Sequence, residues 1–181
     1  MDAGQESYLR FLGGDDTALT DLLRQYREGL ILYVNTFTQN IFDAEDVVQE
    51  VFVKLCLKKP KYRDTASFKT WLYTIARNKA IDFLRKKKPE TDLAALNARQ
   101  QAAEISAVED AYLQNETQRT VRAAMQALKP DYAQVLFLTY FADLSNKQTA
   151  KIMHRSVHSV ETLNSRARTA LKLLLEQEDL L

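Results

Sequence analysis

Apolar residues recur with helical spacing between residues 43 and 57, in the stretch DAEDVVQEVFVKLCL. The stripe starts at Ala44 and continues at offsets of 3, 4, 7, 8 and 11 residues, where valine, phenylalanine and leucine stand. This spacing is typical of a helix that packs one face on a core. It predicts a helix over 43–57 with Asp43 as its N-cap. The side chains left outward are those of Glu45, Asp46, Gln49 and Glu50.

The stretch FKTWLYTIARNKAIDFLRKKK, residues 68–88, has two faces of different chemistry. One face joins Phe68 to Phe83 through leucine, isoleucine and alanine, as packing on a core requires. The opposite face is polar and basic, Trp71 lies on the seam between the faces, and the stretch ends in the cations Arg85–Lys88. Core packing explains only the first face, so the second indicates a binding role.

Helical spacing fills most of the remaining chain, while turn-forming residues are few. Further helices are predicted at 17–40, 112–128, 132–144, 144–153 and 156–175. The chain of 181 residues has 46% apolar and 27% charged residues, with only four glycines and three prolines. This composition is typical of an ordered, mostly helical protein, and we predict an all-α fold.

The last two helices form a candidate helix-turn-helix. Ser145 and Gln148 have the spacing of a capping box at the start of the first, and Ser156 suits the N-cap of the second. Only a few residues around His154 separate the two helices, and the second carries several cations. The pattern predicts a DNA-binding motif, although a plain helical hairpin has a similar one.

Charge is strongly segregated although the formal net charge is only +1. Residues 1–50 hold three cations and ten anions, whereas residues 54–88 hold twelve cations and two anions. Residues 89–111 hold five anions and one cation, with a weak helical pattern, and are predicted to be an acidic linker between two domains. A concentrated basic segment indicates an anionic partner.

Other signals exclude several protein classes. The acidic amino terminus lacks the layout of a secretion signal, no window is long enough to span a membrane, and Cys56 is the only cysteine, so a cytoplasmic protein is predicted without membrane insertion. His154 and His158 have no neighbouring acid or cysteine to complete a metal site, so no metal and no cofactor are expected. The chain has no phosphate-binding loop or nucleophile motif, which indicates that it is not an enzyme.

Three motifs in this order resemble bacterial RNA polymerase sigma factors of the extracytoplasmic-function (ECF) type, in the sigma-70 family. They are DAEDVVQEVFVKL at 43–55, FKTWLYTIARNKAIDFLRKKK at 68–88 and LSNKQTAKIMHRSVHSVETLNSRARTAL at 144–171. The resemblance implies a sigma region 2 helical bundle over 1–88 and a sigma region 4 helix-turn-helix domain over 112–181, joined by the linker at 89–111.

The resemblance also implies a function, which is to direct core RNA polymerase to promoters and to promote DNA melting. In this family the helix at 68–88 and the loop before it resemble the element that binds the minus-10 promoter region and captures a flipped base. Capture needs aromatic, amide and hydroxyl groups with cations for the phosphates. The residues implied are Lys61, Tyr62, Arg63, Ser67, Phe68, Trp71, Arg77, Asn78, Arg85, Lys86, Lys87 and Lys88. Phe68 and Trp71 fit core packing better than base contact, since aromatic residues on the seam of a helix usually pack.

The other two motifs imply a polymerase contact and a second DNA contact. The outer face of the helix at 43–55 resembles the surface that binds the polymerase clamp, through Asp46, Gln49 and Glu50, although acids there also simply solubilise a helix. The helix-turn-helix resembles the reader of the minus-35 element in the major groove. The residues implied there are Arg155, Ser156, His158, Ser159, Thr162, Asn164, Arg166 and Arg168.

Some positions depart from the common family pattern. Glu161 and Leu163 stand where many members have cations, and His154 and His158 replace glycines. An acid accepts from cytosine or repels phosphate, so promoter preference cannot be copied from other members. The expected partners are core RNA polymerase, promoter DNA and an anti-sigma factor. The alternatives are a stand-alone helix-turn-helix regulator and a helical interaction protein that binds no nucleic acid.

Overall fold

A computed structural model of the chain describes residues 2–63, 65–87 and 116–178, and the regular elements in these ranges are all helical. The linker predicted at 89–111 and Lys88 lie outside the described residues. The first four helices form the N-terminal bundle: α1 (Ala3–Leu12), α2 (Thr17–Thr38), α3 (Ile41–Lys58) and α4 (Phe68–Lys86). The C-terminal bundle contains α5 (Glu116–Ala127), α6 (Pro130–Leu136), a π-helical turn (Phe137–Phe141), α7 (Asn146–Met153) and α8 (Val157–Glu178). The all-α fold is confirmed.

Helix α1 was not predicted, and it closes one side of the N-terminal bundle. Asp2 joins two helix starts, because one carboxylate oxygen accepts from the backbone N–H of Gln5 at 2.8 Å and the other from that of Phe68 at 2.9 Å. Tyr8 and Phe11 are buried on the inner face of α1. The helix therefore holds the beginning of α4 in place.

Helices α2, α3 and α4 pack on one another through their apolar stripes. The stripe predicted in α3 is buried, from Ala44 to Leu55. The predicted N-cap was wrong: Asn40 caps α3, and its side-chain oxygen accepts from the N–H groups of Phe42 and Asp43. The predicted stripe did not include Ile41, which is fully buried and extends the stripe by one turn. Asp43 therefore lies in the first turn, where its carboxylate still suits the positive end of the helix.

Capping in the C-terminal bundle follows the sequence closely. Pro130 lies in the first turn of α6, and Ser145 and Gln148 form the predicted capping box of α7. The Oγ of Ser156 accepts from the N–H of Ser159 at 3.1 Å, as expected of an N-cap for α8. His154 ends α7 with a φ of 54°, so a histidine takes the left-handed conformation in which glycine is common.

The two bundles pack against each other, chiefly through α4 against α7 and α2 against α6. The rings of Tyr33 and Phe137 meet across this interface with centroids 5.7 Å apart. Among the described residues, none of the helices is both long and apolar enough for a membrane span.

Candidate nucleic-acid interface

The loop between α3 and α4 presents cations on a shaped backbone. Lys61 and Arg63 are exposed, whereas Tyr62 is half-buried and its hydroxyl donates to the carbonyl of Ala66. The N–H of Thr65 donates to the carbonyl of Arg63 at 2.6 Å. These bonds fold the loop back on itself, so its two outward cations are held next to the start of α4.

A cluster of aromatic rings supports this loop from below. The ring of Tyr62 lies 5.8 Å from that of Phe68 and 5.4 Å from that of Trp71, and both contacts are edge-on. Tyr8 packs on the same two rings from α1. Phe68 is fully buried, whereas Trp71 is half-exposed. Trp71 is therefore the ring of this cluster on α4 that can stack on an unpaired base.

Close packing under the cluster requires a glycine at position 4. A Cβ built on Gly4 would lie 2.3 Å from the hydroxyl oxygen of Tyr26 and 2.6 Å from a ring carbon of Phe68. Burial raises the pKa of both Tyr8 and Tyr26 to about 12, and for Tyr26 the carboxylate of Asp2 adds to the effect. The hydroxyls of Tyr8 and Tyr26 beneath the loop are therefore uncharged at neutral pH.

The outer face of α4 carries an amide and further cations. Asn78, Arg85, Lys86 and Lys87 are exposed. The ammonium of Lys87 also lies 2.6 Å from a carboxylate oxygen of Asp43 on α3. Trp71, Asn78 and Arg85 recur at spacings of seven residues and share this face. The arrangement joins a ring, an amide and a cation along one side of the helix.

Arg77 lies on a different side of α4, toward Tyr33 on α2. Its Nε atom is buried and has no hydrogen-bond partner among the described residues. Burial raises the pKa of the Tyr33 hydroxyl above its usual range, and the nearby Arg77 guanidinium opposes the shift only in part. In this conformation Arg77 is half-buried near Tyr33.

A groove of about 430 Å³ runs between α2 and α3. Asp46 and Gln49, both predicted for polymerase binding, border it, and Glu50 lies next to them. Its apolar wall was not predicted and consists of Leu19, Leu23, Val48, Phe52 and Val53. Val53 is 48% exposed at the edge of this wall.

Glu50 is joined to α4. The ammonium of Lys79 lies 2.6 Å from its carboxylate, and this hydrogen bond is the main cause that lowers the pKa of Glu50. The Glu50 carboxylate, at the rim of the groove, is therefore charged at neutral pH and is held in place relative to α4.

The helix-turn-helix presents the first two turns of α8 to solvent. Ser156 and His158 are exposed, and Ser159 and Thr162 are half-buried. The hydroxyl of Thr162 donates to the carbonyl of His158 at 3.1 Å. The exposed residues Glu161 and Ser165 lie on the same outward face as His158, and Ser165 was not among the predicted residues. Its spacing of seven residues from His158 was the signal that could have found it.

Two other residues predicted for the minus-35 element, Asn164 and Arg155, have partners inside the bundle or along its edge. The side-chain amide of Asn164 points inward and donates to the hydroxyl of Thr139 at 3.5 Å. The guanidinium of Arg155 forms an ion pair with Asp131. Arg166 and Arg168 are both exposed, and Arg168 also lines a groove of about 810 Å³ together with Tyr140 and Phe141.

The described residues contain no group of three or more His, Cys, Asp or Glu side chains placed to hold a metal ion. The proposed DNA-facing surfaces carry cations, amides, hydroxyls and aromatic faces. Such groups bind phosphates and bases by contact and need no reaction centre.

Comparison with known families gives two matches in chain order. A model described as Sigma-70 region 2 matches residues 22–90, and a model described as Sigma-70, region 4 matches residues 118–171. The first range includes the groove between α2 and α3 and the basic loop, and the second includes the helix-turn-helix.

Full-length relatives give the same assignment. The ECF RNA polymerase sigma factor SigW of Bacillus subtilis is 30% identical over 167 residues, covering 88% of this chain and 89% of SigW. The ECF RNA polymerase sigma-E factor of Escherichia coli K12 is 30% identical over 166 residues, covering 87% of this chain and 86% of the relative.

Two solved structures have a similar fold. CnrH, solved in complex with the cytosolic domain of CnrY, matches with a TM-score of 0.68 and 23% identity over 97% of this chain and 99% of that one. The sigma factor RpoE of Bartonella quintana, solved with the anti-sigma factor NepR, matches with a TM-score of 0.64 and 20% identity over 87% of this chain and 96% of that one.

Proposed function

The chain belongs to the sigma-70 family, and on that premise we propose that it directs core RNA polymerase to promoters by contacting the minus-10 element with residues 1–88 and the minus-35 element with residues 112–181. It is a transcription initiation factor without catalytic activity of its own, and its site of action is the cytoplasm. Residues 89–111 connect the two DNA-binding parts. The observation that carries the proposal is the basic loop held over an aromatic floor at the start of α4.

We assign the minus-10 contact to this loop and to the outer face of α4. Lys61 and Arg63 would hold phosphates of the melted strand, and Trp71 would stack on an unpaired base. Asn78 is exposed two helical turns beyond Trp71, and its side-chain amide offers a donor and an acceptor to a base edge. Phe68 is fully buried, so its role would be to support Trp71.

The groove between α2 and α3 is the surface that we assign to core polymerase. Its apolar wall offers area to bury, and Asp46, Gln49 and Glu50 provide a polar rim that steers a basic partner. The side chain of Val53 lies at the exposed edge of the groove and would be covered on docking. A helix of the polymerase clamp with cations along one side fits this combination.

We assign the minus-35 contact to the start of α8. Ser156, His158 and Ser159 occupy its first turn, where a recognition helix meets base edges. Glu161 and Ser165 continue this face over the next two turns, and Arg166 is placed for a phosphate. Because RpoE was solved with an anti-sigma factor, we also expect an anti-sigma partner for this chain.

Transcription in vitro tests the proposal. Purified core polymerase, with and without the chain, is supplied with a genomic fragment library, and the transcript starts are mapped. We expect defined start sites only when both are present. The double substitution Lys61→Ala and Arg63→Ala should remove most of them, whereas Arg24→Ala, an exposed cation on α2, should not. Sequence-specific binding to duplex DNA without polymerase and no defined starts would instead identify a stand-alone regulator.

A further inference from the structure

The core of the C-terminal bundle holds the first turns of α8 in one rotational setting. Val160 and Ala167 are fully buried on the inner side of the helix, seven residues apart. Residues at this spacing lie on nearly the same side of a helix, so the opposite side faces solvent. His158, Glu161 and Ser165 occupy that outward side, and all three are exposed.

Hydrogen bonds within the bundle engage two of the polar side chains predicted to read bases. The hydroxyl of Thr162 donates to the carbonyl of His158 at 3.1 Å. The side-chain amide of Asn164 donates to the hydroxyl of Thr139 at 3.5 Å. In this conformation direct readout of bases therefore falls to the outward side chains whose polar groups are not used inside the protein.

Glu161 is an acid on this outward side, and its carboxylate has no partner among the described residues. The ion pairs nearby join other groups, since Arg155 pairs with Asp131 and Lys172 pairs with Glu176. Within the described part of the chain, Glu161 therefore takes no part in a salt bridge that stabilises the fold. Its acceptor oxygens are available to a ligand.

Two cations flank the outward side of α8 beyond Glu161. Arg166 and Arg168 are both exposed, and at about 100° per residue they lie about 160° apart around the helix. A helix in the major groove has a phosphate backbone along each flank, so each arginine is placed toward a different strand. Glu161 lies nearer the start of the helix, where a recognition helix meets base edges.

The four bases differ in what they offer to a carboxylate in the major groove. Guanine presents the acceptors N7 and O6, and thymine presents the acceptor O4 and a methyl group, so neither base donates. Adenine has the donor N6, but the acceptor N7 lies beside it. Cytosine presents the N4 amino group, from which a glutamate accepts. An acid on a recognition helix therefore favours cytosine over the other three bases.

From these observations we propose that Glu161 is a specificity-determining residue that selects a cytosine in the minus-35 element by accepting a hydrogen bond from its N4 amino group. The inference deepens the proposed function and rests on it, since the residue matters for promoter choice only if α8 reads the minus-35 element. Opposite a base without an amino donor, the carboxylate loses water and gains no partner. An element with guanine at that position, the base that lysine or arginine selects, is therefore a poor site for this chain.

Selection from a randomised minus-35 element tests the proposal. Core polymerase with the chain transcribes a pool of templates in which the minus-35 segment of a mapped promoter is randomised, and the transcribed templates are sequenced. We expect one position at which cytosine, on one strand, is enriched about tenfold over the other bases. In Glu161→Gln the enrichment at this position should move to adenine, because a glutamine amide pairs with N6 and N7 of adenine.

Glu176→Gln is the matched control, because it removes the same charge from an exposed position near the other end of α8. This variant should keep the cytosine. A general loss of stability lowers the yield from all templates alike, so a change of base preference at one position reports the contact itself. A third variant, Glu161→Lys, should move the preference at the same position to guanine.

The inference is overturned if the unaltered chain shows no cytosine preference, or if the same preference persists in Glu161→Gln. If no promoter can be mapped with core polymerase, the proposed function fails instead. In that outcome, selection of randomised duplexes by the full chain without polymerase, repeated with Glu161→Gln and Glu176→Gln, decides the inference. A cytosine that is lost only in Glu161→Gln supports it, and any other result overturns it.

Discussion

The hydroxyl of Tyr8 donates a hydrogen bond of 2.6 Å to the carbonyl of Pro60. The bond joins α1 to the beginning of the basic loop, 52 residues further along the chain. The ring of Tyr8 lies 5.3 Å from that of Trp71, so one side chain holds both the loop and the aromatic floor beneath it. Helix α1 is therefore part of the apparatus that shapes the proposed minus-10 surface.

Tyr8→Phe should loosen the loop while it keeps the ring in place. Removal of the hydroxyl leaves the Pro60 carbonyl without its donor and is expected to cost about 1 kcal/mol of unfolding free energy. Urea denaturation followed by the fluorescence of Trp71, the only tryptophan, measures this cost. Tyr132→Phe, at a half-buried position of the C-terminal bundle, is the control. If Tyr8→Phe and the unaltered chain have equal unfolding free energies, the hydrogen bond to Pro60 does not stabilise the fold.

Alkaline pH should destabilise the N-terminal bundle in a defined window. Burial raises the pKa of Tyr8 and Tyr26 to about 12, whereas an unfolded tyrosine ionises near pH 10. A raised folded pKa gives stability that is fully present below about pH 10 and is lost as pH rises toward 12. The unfolding free energy should therefore fall across this range.

Denaturant titrations at several pH values measure the fall. Tyr26→Phe removes one of the buried tyrosines of this bundle whose pKa is raised, a set that also includes Tyr8, Tyr33 and Tyr73, and should give a shallower decline, because phenylalanine releases no proton in either state. A decline of the same steepness in Tyr26→Phe would mean that other groups cause the alkaline instability.

The buried stripes of α3 and α4 and the capping box of α7 were predictable because each depends on residues close in sequence. Helical spacing marked Ala44 to Leu55, and Ser145 with Gln148 marked the start of α7. Helix α1 was missed because only a short run of apolar residues surrounds Tyr8 and Phe11. Its stability comes from packing on α2, with a smaller contact to α4, which the sequence pattern alone does not reveal.

Contacts between the bundles could not be predicted from sequence. Gln148 was recognised as a capping residue, and its oxygen does accept from the N–H of Ser145 at 2.9 Å. The nitrogen of the same amide binds Ser67, a partner 81 residues away, which no local pattern encodes. For the same reason the inward orientation of Asn164 was not foreseen, since it depends on the hydroxyl of Thr139.

Asn40→Ala should destabilise the chain more than Asp43→Asn. The Asn40 side chain accepts two backbone N–H groups at the start of α3, and loss of such a cap costs about 1 kcal/mol. Asp43→Asn removes a carboxylate from the first turn of α3 together with its ion pair with Lys87, a partly exposed pair of the kind that contributes about 0–1 kcal/mol. The thermal unfolding midpoints of both variants show which substitution destabilises the chain more. The reverse order would restore Asp43 as the more important residue at this helix start.

Asn78→Ala should reduce promoter opening while core polymerase binding is unchanged. Asn78 is exposed on the face that also carries Trp71, whereas the proposed polymerase groove lies between α2 and α3. Permanganate footprinting measures opening, and native gel shift of core polymerase measures binding. Asp82→Ala, one turn further along α4 at an exposed position, is the matched control. An unaltered footprint for Asn78→Ala would remove this residue from the minus-10 set.

Arg166→Ala should weaken the binding of the holoenzyme to duplex DNA that carries the minus-35 element. Arg166 is exposed next to the outward face of α8, where a cation can neutralise one phosphate. The slope of log affinity against log salt concentration should then fall by about 0.9, the value for one lost phosphate contact. Fluorescence anisotropy over a series of salt concentrations measures the slope. Lys172→Ala is the control, because its ammonium lies 3.5 Å from Glu176 further along the same helix. If both variants have the same slope as the unaltered chain, Arg166 makes no phosphate contact. If both slopes fall equally, the change is caused by the loss of overall charge and not by the position of Arg166 on the recognition helix.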